Sequence, residues 1–157
     1  MSSHQYFLEQ AIELAERNAQ SLAGGPFGAV IVYQGQVIAA CANQVTANHD
    51  PTAHAEIQAI RTACARLNDF QLHHCILYSS CEPCPMCLGA IYWARLKAVY
   101  FAADRLTAAQ AGFDDAMIYQ QIATDLEQRS IPMTHLAITG HDRPFHSWLQ
   151  SQARIPY

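Results

Sequence analysis

The chain has 157 residues, of which 51% are hydrophobic and 14% are charged, and its formal net charge is −4. A domain of this length buries about 70% of the surface of its unfolded chain, so the composition excludes intrinsic disorder and a need for disulfide staples. Lys97 is the only lysine beside eight arginines. No basic stripe of the kind that binds nucleic-acid phosphates is visible.

Targeting signals are not apparent in the sequence. The N-terminus lacks the charged-then-apolar layout of a signal peptide, and no apolar run approaches the ~20 residues that span a bilayer. We therefore expect a cytoplasmic protein with reduced thiols. In that setting, a cluster of cysteines favours metal binding or catalysis over disulfides.

The first third of the chain predicts a helix followed by a β-hairpin. Apolar residues recur at three- and four-residue steps over residues 4–22, which is the helical period. Residues 28–33 and 36–43 are β-rich runs on either side of a turn at residues 34–35. The two runs are therefore predicted to pair as a hairpin.

Beyond the hairpin, helices and strands alternate. A helix is predicted over residues 53–67, after a loop at residues 45–51. The remaining predicted elements are a strand at 75–79, a helix at 85–94, a strand at 97–102, a helix at 114–122, a strand at 135–139 and a helix at 144–153. Strands separated by helices imply parallel crossovers, and the hairpin makes the sheet mixed. We expect a three-layer α/β/α domain around a mixed five-stranded sheet.

Two segments contain the residues expected to carry chemistry. His54 and Glu56 form a His-x-Glu motif, and Cys84 and Cys87 close a Pro-Cys-x-x-Cys motif. Catalytic zinc takes three protein ligands and keeps one position open, so one imidazole and two thiolates suit it. The combined pattern is the known signature of zinc-dependent nucleobase deaminases.

The spacing within each motif constrains where the helices begin. Cys84 and Cys87 share one face at a helix start, where the partial positive charge favours thiolates. Residues two apart on a regular helix point about 200° away from each other. His54 and Glu56 can therefore serve one site only if they flank a helix entry, and we place that entry near residues 53–54.

Glu56 is not needed as a ligand and is predicted to move protons. Zinc lowers the pKa of a bound water from 15.7 towards ~7, and the resulting hydroxide would attack the ring carbon. Glu56 would accept a proton and return it to the ring nitrogen and the departing amine. The alternative is a closed structural site with Cys81 as a fourth ligand, which would leave Glu56 without a role.

Longer segments resemble a known family. Residues 24–32, 80–95 and 111–115 are similar to the bacterial guanine deaminases of the cytidine and deoxycytidylate deaminase superfamily, and Tyr157 matches their final residue. The resemblance implies a zinc hydrolase of purine catabolism, with one zinc per subunit, that converts guanine to xanthine and ammonia. Residues 50–56 are shared with tRNA-specific adenosine deaminases, which are the alternative. Residues 133–157 contain two arginines and no lysine, which argues against an RNA substrate.

The resemblance also implies roles for individual residues. The substrate-binding residues would be Phe27, Asn43, Trp93, Asp115 and Tyr157. Asn43 would hydrogen-bond the base, and the two apolar aromatics would wall the pocket or stack on the purine. Asp115 would read the N–H edge of guanine and assist Glu56, although an aspartate here could instead cap a helix. Phe27 and Trp93 could equally belong to the core, and Tyr157 could be a frayed end.

The resemblance further implies an assembly. The whole chain, residues 1–157, would be a single deaminase domain that forms a homodimer. The C-terminal segment would be exchanged between subunits, and Tyr157 would cover the active site of the partner. A small purine base is the expected ligand, with no nucleic-acid or membrane partner.

Overall fold

The computed structural model describes residues 3–157. The chain divides into two compact units, one ending at Asp115 and one running over Ala116–Tyr157. The elements of the first unit are α1 (Ser3–Gln20), β1 (Gly28–Tyr33), β2 (Gln36–Ala42), α2 (Val45–Asn48), α3 (Ala55–Leu67), β3 (Cys75–Cys81), α4 (Pro85–Trp93), β4 (Ala98–Ala103) and α5 (Arg105–Gln110). The second unit contains α6 (Ala116–Ile122), a 3-10 turn (Leu126–Gln128) and α7 (Arg143–Gln150).

Two short helices lie where none was predicted. The single turn of α2 occupies the expected loop after β2. The start of α5 is capped by Asp104, whose side chain accepts a hydrogen bond of 2.8 Å from the backbone N–H of Thr107. An aspartate three residues before a threonine is a readable helix-start signal, so α5 could have been found from the sequence.

The sheet is mixed, as predicted. Its strand order is β2-β1-β3-β4. Strand β1 runs antiparallel to both β2 and β3, whereas β3 and β4 are parallel. The predicted hairpin is therefore confirmed, and β3 lies in the interior of the sheet with a partner strand on each side.

The prediction of a fifth strand at residues 135–139 is wrong for this chain. The segment has no regular structure, and the sheet of the described residues 3–157 has four strands. Leu136 and Ile138 give the segment the alternation of a strand, yet they are 69% and 64% exposed. Alternating apolar residues indicate that a segment is able to pair as a strand. The strand forms only where the edge of a sheet is available beside it.

Helices cover both faces of the sheet. Ala29 and Ile31 of β1 pack in one core cluster with residues of α3, whereas Val30 and Val32 pack in a second cluster with residues of α1. This alternation is the period of a strand that is buried on both sides. The three-layer arrangement is therefore confirmed within the first unit.

Burial is uneven along the chain. Within the part that the structure describes, no residue after Ala94 is buried. Strand β4 at the edge of the sheet contains no buried residue, and Phe101 on it is 46% exposed. In the second unit, α7 exposes Phe145 and Leu149 by 70% and 62%. The final third of the chain therefore carries apolar surface that it does not bury itself.

None of the helices described is both long enough and apolar enough to span a bilayer.

Candidate active site

Two helix starts carry the predicted metal ligands. His54 is the N-cap of α3, with φ −66° and ψ 155°, and Cys84 is the N-cap of α4, with φ −65° and ψ 169°. Neither side chain caps its own helix by a hydrogen bond, and Pro85 occupies the first turn of α4. Because His54 lies in extended backbone just before α3, His54 and Glu56 are not fixed on opposite sides of a regular helix and can serve one site.

The three predicted ligands lie together. The sulfur atoms of Cys84 and Cys87 are each 3.5 Å from Nδ1 of His54. The ligand atoms all lie within 4.8 Å of one another, and this is the candidate metal cluster that the described residues form. Zn–S and Zn–N bonds of about 2.3 and 2.05 Å at tetrahedral angles separate sulfur and nitrogen by about 3.5 Å. The donor set and its spacing therefore fit zinc.

Cys81 does not supply a fourth ligand to this cluster. The Cys81 thiol ends β3 and donates to the backbone carbonyl of Asp104 at 3.7 Å. Burial raises the pKa of the Cys81 thiol to about 11, and the candidate metal cluster of the described residues does not include it. The structural alternative with four protein ligands is therefore not supported, and the cluster has the three-ligand form of a catalytic site.

The electrostatics of the cluster favour thiolate at Cys84. A hydrogen bond from the Cys87 thiol, together with one from His54, lowers the pKa of Cys84 to about 4 against the opposing effect of burial. The hydrogen bond to Cys84 is also the main cause of a raised pKa at His54. The pKa of Cys87 is raised, because its thiol donates to Cys84 and is buried. The sulfur pair thus shares a proton, and a cation can take the place of that proton.

Glu56 lies beside the cluster and is nearly inaccessible. It is 5% exposed and sits in the first turn of α3. Its Oε1 accepts a hydrogen bond of 3.2 Å from the hydroxyl of Ser79. Burial raises the pKa of the Glu56 carboxyl, and this suits a group that must both accept and release a proton near neutral pH.

Asn43 is buried with a fixed orientation. Its Oδ1 accepts hydrogen bonds from the backbone N–H groups of Gly25 and Val45, at 3.3 and 3.2 Å. An added Cβ at Gly24 would come within 2.3 Å of the Asn43 carbonyl oxygen, so a glycine is required where the two segments meet. Since two donors occupy Oδ1, the NH2 group is the part of the Asn43 side chain that could donate to a further partner.

Asp115 is electrostatically coupled to the cluster. It ends the first unit and is partly buried. Desolvation is the main cause of its raised pKa, and the charge of Cys84 is the second cause. Asp115 immediately precedes α6, so the structure is compatible with a capping position as well as with a role in the site.

The predicted aromatic residues have different surroundings. The ring of Phe27 packs edge-to-face on Phe113, with ring centroids 4.9 Å apart. Trp93 ends α4 and is 66% exposed. Tyr157 belongs to the second unit and is 70% exposed. Their assignment to the substrate pocket remains a prediction.

Sequence reasoning missed two residues, Ser79 and Phe113. Ser79 belongs to β3, in which Leu77 faces α3 and Tyr78 faces α1. By alternation Ser79 faces α3, and a serine on the buried face of an interior strand is a signal that could have been read. Phe113 lies within residues 111–115, which were noted for their resemblance to the family, but it was given no role of its own.

Comparison with known proteins agrees with this geometry. Residues 1–103 match the profile of the family described as "Cytidine and deoxycytidylate deaminase zinc-binding region". The guanine deaminase of Bacillus subtilis is 55% identical over 93% of this chain and 94% of its own. A crystal structure of the B. subtilis guanine deaminase superposes with a TM-score of 0.97 at 52% identity, covering 100% of this chain and 99% of that one.

A second group of relatives matches less of the chain. The tRNA-specific adenosine deaminase of Buchnera aphidicola (subsp. Baizongia pistaciae) is 42% identical over 64% of this chain and 62% of its own. The chain as a whole is thus a homologue of guanine deaminase, and the similarity to the RNA-modifying group is more distant. With the cluster of His54, Cys84 and Cys87 in place beside Glu56, the chain belongs to the cytidine and deoxycytidylate deaminase zinc-binding family.

Proposed function

We propose that this protein is a zinc-dependent guanine deaminase, a hydrolase that converts guanine and water to xanthine and ammonia. The observation that carries the proposal is the 55% identity to a guanine deaminase over 93% of the chain. The three-ligand cluster, with an unligated glutamate beside it, supplies the chemistry that this reaction needs. A location in the cytoplasm is proposed because all six cysteines are free, which suits a compartment that keeps thiols reduced.

Zinc binding and proton transfer are assigned to different residues of the chain. His54, Cys84 and Cys87 would hold the zinc, which when bound activates water for attack at neutral pH. The carboxyl of Glu56 accepts a proton from the attacking water and passes it to the ring nitrogen beside the amino-bearing carbon. It then takes the proton of the hydroxyl group added to the ring carbon and transfers it to the amine, so that the C–N bond breaks and neutral ammonia leaves. A carbonyl remains on the ring carbon, which balances the reaction.

Recognition of the base is assigned to groups of complementary polarity. Asn43 offers an NH2 donor, because its oxygen is engaged by the backbone, and it would bond an acceptor on the base. Asp115 offers an acceptor, and guanine presents a ring N–H next to its amino group, whereas adenine does not. Phe27 and Trp93 would contact the apolar faces of the purine.

Replacement of Asp115 by alanine is expected to lower kcat/KM for guanine by about 10–100-fold, as for the loss of a hydrogen bond to a charged group. Steady-state kinetics with guanine measure the effect, and a melting curve reports on the fold. Asp114→Ala is the neighbouring comparison. Equal kinetics in the Asp115→Ala variant and the unchanged protein would leave Asp115 only as a helix cap.

A substrate panel tests the proposed function. Ammonia release would be measured with free guanine, adenine, guanosine, cytidine and an anticodon stem-loop RNA. Guanine should be the preferred substrate. Turnover of the RNA with none of guanine would contradict the proposal in favour of the tRNA-specific alternative.

The proposed assembly is a homodimer in which the second unit is exchanged between chains. Its support is the exposed apolar surface after Ala94, which includes 70% of Phe145 and 46% of Phe101. Surface of this kind on both units is typical of protein that is covered by another copy. The boundary at Asp115 is the point from which an exchanged segment would begin.

Tyr157 gives this assembly a functional test. If the final tyrosine completes the partner's site, deletion of Tyr157 should raise KM or lower kcat in a homodimer. A heterodimer of a Glu56→Gln chain with a chain lacking Tyr157 then contains one fully intact site and should recover about half of the normal turnover. Differently tagged, co-expressed chains would be used. Turnover no greater than the mean of the two parent homodimers would contradict an exchanged tyrosine.

A further inference from the structure

Ser79 makes a buried contact with Glu56 that the reaction scheme above does not use. The serine is 2% exposed and the glutamate 5% exposed, and their oxygen atoms are 3.2 Å apart. The two residues are on different elements, since Ser79 belongs to β3 and Glu56 to α3. The contact therefore joins the sheet to the helix that carries the proton-transfer group.

The strand around Ser79 is held from both sides. Ser79 pairs with Ala29 of β1 and with Phe101 of β4. An interior strand has its backbone hydrogen bonds satisfied in two directions, so its side chains have well-defined positions. The hydroxyl of Ser79 therefore has a well-defined position, and its hydrogen bond can orient the Glu56 carboxyl.

The backbone N–H of Glu56 also donates to the carboxyl of its own side chain. The Cys87 thiol also hydrogen-bonds Glu56. A cysteine that ligates zinc carries no proton, however, and loses this donor function. Among the side chains described as bonding Glu56, Ser79 is then the remaining donor.

We infer that Ser79 is a positioning residue that holds Oε1 of the Glu56 carboxyl and so orients the carboxyl for proton exchange with the substrate. A carboxyl with one oxygen anchored has a single direction in which it can reach the reacting atoms, and such orientation contributes to rate. The hydroxyl can donate to the carboxylate and can rotate to accept from the protonated form, so it supports both states that a proton carrier passes through. The inference rests on the proposed function.

The test compares Ser79→Ala with Ser80→Ala. Ser80 is the adjacent buried serine, and its hydroxyl accepts from the backbone N–H of Gly28 at 3.0 Å, away from Glu56. Ser79→Ala should lower kcat for guanine on the order of 10–100-fold, with KM changed less than about 3-fold and zinc content unchanged. Ser80→Ala should keep kcat close to that of the unchanged protein.

A second pair of variants separates hydrogen bonding from shape. Thr and Val have nearly the same shape, so Ser79→Thr should retain most of kcat and Ser79→Val should lose it as Ser79→Ala does. This pair is informative even if the alanine variant does not fold. In a Glu56→Gln background, Ser79→Ala should lower the residual turnover no further, because residues that act as a unit are not additive.

A spectroscopic readout does not depend on turnover. The infrared carboxyl band of Glu56 is identified as the band that Glu56→Gln removes, and it should shift in Ser79→Ala but not in Ser80→Ala. An unshifted band, loss of zinc in Ser79→Ala, or equal kcat in the two serine variants would overturn the inference. Absence of guanine turnover in the zinc-loaded unchanged protein would instead refute the proposed function, so the two failures are distinguishable.

Discussion

Glu56→Gln is expected to abolish nearly all turnover while the protein keeps its zinc and its fold. Glutamine matches glutamate in size and can still accept the hydrogen bond from Ser79, but it cannot carry a proton. Loss of a positioned acid–base group lowers rate by about 10²–10⁴-fold. Because Glu56 is outside the candidate cluster of His54, Cys84 and Cys87, metal binding should not change.

Three measurements on the same preparation check this expectation. They are ammonia release from guanine, zinc content by metal analysis, and the melting temperature. Glu13→Gln on the exposed side of α1 is the control for a change of charge far from the site. Normal turnover in Glu56→Gln would show that some other group moves the protons, and a zinc-free variant would show that Glu56 is a ligand.

Cys84→Ala should remove both zinc and activity, whereas Cys81→Ala should retain them. The two cysteines are three residues apart, and each has a sulfur in a hydrogen bond. Of these two cysteines, only Cys84 contacts His54, and its pKa is lowered to about 4, so its side chain is the one suited to bind a cation. The structural alternative of the sequence motif, with four ligands, predicts zinc loss in both variants.

Zinc removal should also lower stability, because the ion binds the folded state. The melting temperature of the unchanged protein should fall on treatment with a chelator, and the fall should be absent in Cys84→Ala. Zinc would connect the starts of α3 and α4, which no side-chain cap stabilises. Full zinc content in Cys84→Ala would contradict the assignment of the ligands.

Much of the site could be predicted because its constraints are local. Cys84 and Cys87 are three residues apart at a helix start, and Pro85 marks that start. The His54–Glu56 spacing excludes the interior of a helix, and the structure places α3 one residue after His54. These arguments need only helix geometry, which the sequence encodes over a few positions.

Contacts between distant segments could not be predicted in the same way. The Ser79–Glu56 hydrogen bond spans 23 positions, and the Phe27–Phe113 pair depends on how β1 and the turn after α5 meet. Periodicity indicates which face of a strand is buried, but it does not indicate which side chain is opposite. The orientation of Asn43 likewise follows from backbone donors at Gly25 and Val45 rather than from the residue itself.

The fifth strand shows the limit of local pattern most clearly. Residues 135–139 carry the alternation of a strand, and the structure leaves them irregular. A strand requires a second strand beside it, and the sequence of a segment does not specify whether that neighbour lies in the same chain. The alternation therefore indicates that this segment is able to pair as a strand, and it does not indicate that a partner strand is present.

Strand β4 has a consequence for the newly made chain. Within the sheet of the described residues, β4 has no neighbouring strand on its outer edge, and its residues Tyr100 and Phe101 are 37% and 46% exposed. Open edges of this kind are templates for lateral aggregation, and natural proteins protect them. If the proposed homodimer covers β4, the rate at which two chains associate would compete with lateral aggregation and would affect the yield of folded protein.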